Sequence, residues 1–106
     1  MKISENLQGW ELDKALYLIK TANNLGMVLN DAIIDVNNNS GYVYIYSENY
    51  DFCLYMPINC ELILNDVYVL YTDMNNGQEF EICLNELFSL KQIKIWVNEQ
   101  SLKSIM

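Results

Sequence analysis

The hydrophobic pattern of this chain changes its period twice. Near the N-terminus, apolar residues recur every three or four positions, and the pattern then alternates with a period of two from about Ala32 to Leu84. After Ser89 the longer period returns. A period near 3.6 is typical of a helix with one apolar face, and a period of two is typical of a strand. The sequence therefore predicts an α+β fold, with an antiparallel sheet of about five strands flanked by an N-terminal and a C-terminal helix.

The predicted elements can be placed on the chain. The N-terminal helix has an apolar stripe of Leu12, Ala15, Leu16, Ile19 and Ala22, and Gly26 is a candidate C-terminal cap. The expected strands are Ala32–Val36, Tyr42–Tyr46, Phe52–Met56, Val67–Thr72 and Glu79–Leu84.

The connections also carry local signals. The segment Asn37–Gly41 is typical of a turn, Asn76-Gly77 is a hairpin signal, and Glu61–Leu64 could be a strand or a helical turn. Ser89 and Gln92 match a capping box, and Phe88 with Ile93 matches a hydrophobic staple. The helix that follows has an apolar face of Leu90, Ile93, Trp96 and Val97.

The charges are distributed unevenly. Between Lys20 and Lys91 there is no positive side chain, and the whole chain has no Arg and no His. The same segment holds ten carboxylates: Asp31, Asp35, Glu48, Asp51, Glu61, Asp66, Asp73, Glu79, Glu81 and Glu86. With a net charge of −8, the protein should attract cationic partners and should bind neither nucleic acid nor an anionic membrane directly.

Length and composition favour one globular domain over residues 1–106, since 52% of the residues are hydrophobic. No apolar run reaches the roughly 18 residues of a transmembrane helix, and the first residues lack the apolar core of a signal peptide. The three cysteines Cys53, Cys60 and Cys83 are an odd number without paired spacing, which is not typical of a disulfide framework. We therefore expect a cytoplasmic protein with reduced thiols.

From the sequence we predict no catalytic residues, no cofactor site and no metal site. Without His there is no Cys–His or Ser–His pair, and the four glycines form no phosphate-binding loop. Cys53 and Cys83 are interpreted as small buried side chains of strands. The carboxylate pairs Asp31/Asp35 and Glu79/Glu81 could act as acid and base or hold Mg²⁺ or Ca²⁺, but the second pair alternates with apolar residues and better fits a solvated strand face. We expect no enzymatic activity.

A surface of tyrosines and carboxylates is the main candidate site. Tyr42, Tyr44 and Tyr46 lie on one side of their strand, while Val43 and Ile45 lie on the other. Tyrosine combines a rigid apolar ring with a polar tip, so it is well suited to binding interfaces. The same pattern also fits an ordinary sheet face, or a core face covered by a helix. The predicted partner-binding residues are Tyr42, Tyr44, Tyr46, Glu48, Tyr50, Asp51, Asp73, Glu79 and Glu81.

Small size, acidity and the lack of catalytic residues give this chain a resemblance to a type of protein. It resembles the small acidic phage-encoded proteins that disarm host defences, anti-CRISPR proteins among them, and acidic inhibitors of DNA-repair enzymes. Its many Asn, Ile and Tyr residues without Arg are typical of an AT-rich coding sequence, as in a low-GC bacterium or its phages. The resemblance rests on no shared motif, so no site residue follows from it.

That resemblance implies a nucleic-acid mimic: an inhibitor that occupies the basic nucleic-acid-binding surface of a host defence protein in the bacterial cytoplasm. An alternative is an immunity protein or antitoxin that neutralises a basic toxin. Another alternative is a structural phage protein that forms a homodimer through tyrosine-rich edge strands.

Overall fold

The fold is that of a computed structural model, which describes residues 1–59, 66–87 and 89–105. In these residues two helices and six strands follow one another along the chain. They are β1 (Lys2–Ile3), α1 (Gly9–Asn24), β2 (Ile33–Asn37), β3 (Tyr42–Tyr46), β4 (Phe52–Pro57), β5 (Tyr68–Thr72), β6 (Glu79–Cys83) and α2 (Leu90–Ile105). A 3₁₀ turn at Leu84–Glu86 connects β6 to the second helix. The α+β class is thus confirmed.

The sheet differs from the prediction at its first strand. Its strands lie in the order β1-β2-β3-β4-β5-β6, and β1 runs parallel to β2, so the sheet is mixed and has six strands rather than about five. The other neighbours are antiparallel, as predicted. β1 was missed because its two residues are too few to show a period. Its backbone joins the sheet through bonds such as that from the Lys2 N–H to the Ala32 carbonyl, at 2.8 Å.

One face of the sheet forms the core. On β3 and β4 the inward side chains are Val43, Ile45, Phe52, Leu54 and Met56, all at most 4% exposed. Helix α1 packs across β3 and β4, and the buried side chains of both helices belong to the same hydrophobic cluster as these strand residues. The opposite face of the sheet is therefore not covered by α1 or α2.

The buried side of α1 coincides with the predicted stripe only in part. Leu12 and Leu16 are exposed, while Ala15, Leu18 and Ala22 are buried completely. Small alanines allow the helix to lie close to the sheet, so the buried side is set by the geometry of packing rather than by side-chain size. On α2 the predicted face is confirmed, with Ile93 and Val97 buried and Leu90 and Trp96 half-buried.

The predicted cap of α1 and one bond of the predicted capping box of α2 are confirmed. After α1, Gly26 has φ +84°, and the Met27 N–H donates to the Ala22 carbonyl at 3.0 Å, which is a Schellman cap. At the start of α2 the Gln92 N–H donates to Ser89 Oγ at 3.2 Å. The proposed staple residue Phe88, the segment Glu61–Leu64 and Cys60 lie outside the described residues.

The two predicted turns, between β2 and β3 and between β5 and β6, are present in the structure. In the β2–β3 turn, Gly41 has φ +73° and its N–H donates to the Asn37 carbonyl at 2.8 Å. In the β5–β6 hairpin, the Gly77 N–H donates to the Asp73 carbonyl at 2.7 Å and the Asp73 N–H to the Gln78 carbonyl at 2.8 Å. This loop is longer than the two-residue turn for which Asn-Gly is best known.

Candidate functional site

The face of the sheet that neither α1 nor α2 covers, called here the open face, carries a row of tyrosines at its centre. Asp35, Tyr44, Tyr55, Tyr68 and Cys83 lie opposite one another across β2 to β6. The rings of Tyr55 and Tyr68 are stacked, with centroids 5.3 Å apart and planes inclined by 20°. All five side chains come from positions that the predicted strands already contained, but only the register places them in one row.

Tyr42 extends this row toward one end of the sheet. Its ring lies 4.9 Å from that of Tyr55 and 6.0 Å from that of Tyr44, measured between centroids. Cross-strand aromatic pairs of this kind contribute about 0.2–1 kcal/mol each to sheet stability. Tyr42, Tyr44, Tyr55 and Tyr68 are all half-buried. Neither α1 nor α2 lies over them, so these two helices leave the tyrosine face open.

Carboxylates border the tyrosines on both sides. On β6, Glu79 and Glu81 are exposed, and the Tyr55 hydroxyl donates a hydrogen bond to the Glu81 carboxylate. Burial and this hydrogen bond raise the pKa of Tyr55 well above its usual value, so its hydroxyl stays a donor at neutral pH. On the β2 side, burial together with the Asp35 carboxylate raises the pKa of Tyr44.

Two depressions accompany the open face. The end groove, of about 700 Å³, lies where the β3–β4 and β5–β6 turns meet. Its lining residues are Tyr46, Glu48, Tyr50, Asp51, Phe52, Cys53, Leu70, Tyr71, Thr72, Asp73, Met74 and Asn75. The side depression, of about 400 Å³, is lined by Asn37, Ser40, Gly41, Tyr42, Tyr55, Pro57, Leu70, Glu79 and Glu81.

Eight of the nine predicted partner-binding residues line these two depressions. Five of them, Tyr46, Glu48, Tyr50, Asp51 and Asp73, line the end groove. Tyr42, Glu79 and Glu81 line the side depression, and Tyr44 lies in the tyrosine row next to Tyr42. The structure thus places these residues around one end and one side of the sheet rather than in a single patch.

Tyr50 has a structural role that the sequence did not indicate. Its hydroxyl accepts a hydrogen bond from the Val28 N–H at 2.6 Å, and its ring lies 5.4 Å from that of the core residue Phe52. The ammonium group of Lys94 on α2 lies 5.9 Å from the ring centroid. Tyr50 therefore connects the β3–β4 turn to the helical side of the sheet, and it does not share the surface of Tyr42 and Tyr44.

The carboxylate of Asp73 is also engaged in hydrogen bonds within the protein. It is only 4% exposed, and its Oδ1 accepts the Asn75 N–H at 2.8 Å. Its carboxylate is also hydrogen-bonded to Ser104, the strongest of the contacts that lower its pKa. The side chain therefore holds the hairpin in place, and the exposed carboxylates of the end groove are Glu48 and Asp51.

The cysteines differ from the prediction in their location. Cys53 and Cys83 are half-buried and lie on the open face, opposite Leu70 and Tyr68 respectively, rather than in the core. The alternation of β4 places Phe52 and Leu54 inward, which leaves Cys53 on the other side. Burial, assisted by the charge of Glu79, raises the pKa of Cys53 to about 11. At neutral pH this thiol is protonated and therefore a poor nucleophile.

Asp31 and Asp35, considered above as a pair of metal ligands, have different surroundings in the structure. The Asp31 carboxylate accepts the Ser47 hydroxyl at 2.8 Å and the Asn49 amide at 3.0 Å, while Asp35 belongs to the tyrosine row. In the part of the chain that the structure describes, no three His, Cys, Asp or Glu side chains are grouped as metal ligands.

Sequence reasoning did not select Tyr55 and Tyr68 as site residues. Each alternates with an inward residue, Leu54 and Val69, so their outward direction could have been predicted. Their position beside Tyr44 could not, because it depends on which strands pair and in which register.

Comparison with known proteins gives no match to a protein family, a curated protein or a solved structure. Among the described residues, neither helix has the length and apolar character needed to cross a bilayer. The function must therefore be argued from the chemistry of the open face.

Proposed function

We propose that this protein is a non-enzymatic binding protein whose open face docks onto the basic, nucleic-acid-binding surface of another protein and blocks it. The supporting observation is a row of half-buried tyrosines bordered by carboxylates, in a segment from Thr21 to Leu90 that has no positive side chain. In size, acidity and lack of predicted catalytic residues the chain resembles phage inhibitors of bacterial defence proteins, and we propose that role for it in the host cytoplasm.

The tyrosines and the carboxylates would have different tasks in such a complex. Tyrosine rings lose little conformational entropy on binding, and they provide apolar contact and a favourable surface for cations. The carboxylates would accelerate association by electrostatic steering, and they would compete with phosphate groups for the same lysines and arginines. The unneutralised field around Glu79 and Glu81 makes this competition effective at low salt.

The same charges count against a homodimer formed through the outer edge of the sheet. Glu79 and Glu81 are exposed on β6, and charged residues on an edge strand discourage pairing with another strand. A second copy of the chain would bring a further net charge of −8 to the interface. This favours a cationic partner over a second copy.

A displacement assay tests the proposal. A fluorescent single-stranded oligonucleotide is bound to a lysine- and arginine-rich peptide, and the protein is added at low and at high salt. We expect wild type to release the oligonucleotide at low salt and to lose this effect as salt rises. Two double variants test the two parts of the site: Glu48→Lys with Asp51→Lys, and Glu79→Lys with Glu81→Lys.

The control is Asp13→Lys with Glu99→Lys, two exposed positions on the helices. It changes the net charge by the same amount as each test variant. If both test variants release the oligonucleotide as well as wild type, the acidic open face is not the binding surface. If the control is impaired as strongly as they are, only net charge matters and the proposal is wrong.

A further inference from the structure

The side depression combines aromatic rings and carboxylates, which together bind a guanidinium group more favourably than other cations. Its floor and walls include the rings of Tyr42 and Tyr55, whose centroids are 4.9 Å apart, together with the apolar side chains of Pro57 and Leu70. Glu79 and Glu81 stand on one side of it. Aromatic surface and paired carboxylates therefore meet within one depression of about 400 Å³.

The hydrogen bonds of the depression hold its walls in position. The Tyr55 hydroxyl donates to Oε2 of Glu81, which orients that carboxylate. The Tyr42 hydroxyl accepts the Asn37 amide at 3.4 Å, and Ser40 is held by its N–H bond to Asn37 Oδ1 at 3.0 Å. A preorganised carboxylate beside fixed aromatic rings lowers the entropic cost of binding a cationic side chain.

Arginine suits this arrangement better than lysine. A guanidinium group is planar and weakly hydrated, it stacks on aromatic rings, and it can bond to carboxylates through two parallel N–H groups. A lysine ammonium is a strongly hydrated point charge and gains less from a stacked ring. We infer that the side depression receives an arginine side chain of the partner protein, an inference that rests on the proposed function and names the residue type that it recognises.

The test uses two peptides of equal length and charge, one with arginine and one with lysine at every second position. Their dissociation constants for the full chain are measured at low salt by fluorescence anisotropy. We expect the arginine peptide to bind about two- to fivefold more tightly, the ratio that a surface cation–π contact provides. NMR signals of Gly41, Tyr42 and Glu81 should shift on binding.

Two variants locate the preference. Glu81→Gln keeps the shape of the side chain and can still accept the Tyr55 hydroxyl, while Tyr42→Leu removes one ring. Each should reduce the preference for arginine to nearly one, whereas Glu99→Gln at an exposed position of α2 should leave it unchanged. Circular dichroism checks that each variant is folded. If one of the two variants does not fold, the other alone is sufficient for the test.

The outcomes separate this inference from the proposed function. If both peptides bind equally well and shift the signals of the open face, the arginine site is wrong while binding of cations is upheld. If the preference for arginine survives in a folded Glu81→Gln or Tyr42→Leu variant, the side depression is not its origin and the inference is also wrong. If neither peptide binds, the proposed function is wrong as well.

Discussion

Asp73 connects two parts of the molecule that are distant in sequence. Its carboxylate is hydrogen-bonded to Ser104 in the last turn of α2, and Ser104 Oγ also accepts the Asn76 amide at 2.6 Å. The hydrogen bond to Ser104, with those from the backbone N–H groups of Asn75 and Asn76, lowers the pKa of Asp73 below its usual 3.8. The β5–β6 hairpin is therefore attached to the end of the second helix.

This contact predicts a dependence of stability on pH. Because the pKa of Asp73 is lower in the folded state, its contribution is present above pH 3.8 and is lost as the pH falls through the folded-state pKa. We expect Asp73→Asn to lower the free energy of unfolding at neutral pH, and the difference from wild type to shrink below pH 3.8. Urea unfolding at several pH values measures it, with Asp13→Asn at an exposed site of α1 as control. A difference that grows in acid would contradict the assignment.

The reactivity of Cys53 is a second prediction at this scale. Burial and then the Glu79 charge raise the pKa of this thiol to about 11, so little thiolate exists at neutral pH. In a variant whose other cysteines are replaced by serine, alkylation of Cys53 by iodoacetamide should be slow at pH 7 and should rise with pH. Adding Glu79→Gln should speed it. A rate at pH 7 equal to that of the urea-unfolded variant would contradict this environment.

At the scale of the elements, Gly26 ends α1 in a conformation that other residues rarely adopt. Its φ of +84° is in the left-handed region, where a Cβ atom costs about 1–2 kcal/mol. We expect Gly26→Ala to lower the free energy of unfolding by roughly that amount. Gly9→Ala is the matched control, because Gly9 begins the same helix without a positive φ and a Cβ there meets no atom within 4 Å. Equal stability of the two variants in urea unfolding would show that the cap is unimportant.

The elements differ in how well the sequence predicts them. Tyr42–Tyr46 was predicted with its observed bounds, because its strict alternation follows from having a buried and an open side. The buried side of α1 was predicted only in part, since Ala15 and Ala22 of the predicted stripe are buried, whereas Leu12 and Leu16 are exposed and Leu18 is buried instead. The parallel strand β1 has no local signal at all, because its place depends on a partner about thirty residues away.

The candidate site was predictable in composition but not in arrangement. Alternation correctly separates Tyr42 and Tyr44 from Val43, which is a local property of the backbone. The strand register places Tyr55 and Tyr68 beside them. Tyr50 lies elsewhere, because its hydroxyl accepts a hydrogen bond from the Val28 N–H. Both outcomes depend on contacts between distant segments, which a single sequence does not specify.

For the whole molecule, the charge predicts that copies repel one another. A protein of 12.4 kDa with pI 4.2 and carboxylates on its outer β6 strand should be a monomer at low ionic strength. Light scattering coupled to size exclusion measures the molar mass directly. A dimer that persists at low salt and micromolar concentration would contradict this prediction and favour a self-associating role.

The most direct test of the central claim is to observe the tyrosine rings while a cationic peptide binds. With ¹³C-labelled tyrosine, NMR resolves the open-face rings of Tyr42, Tyr44, Tyr55 and Tyr68 from that of Tyr17 on α1. If the open face is the binding surface, the first four signals shift in a salt-dependent manner, while that of Tyr17 stays in place. Shifts confined to Tyr17, with the open-face signals unchanged, would contradict the account and place binding on the helices.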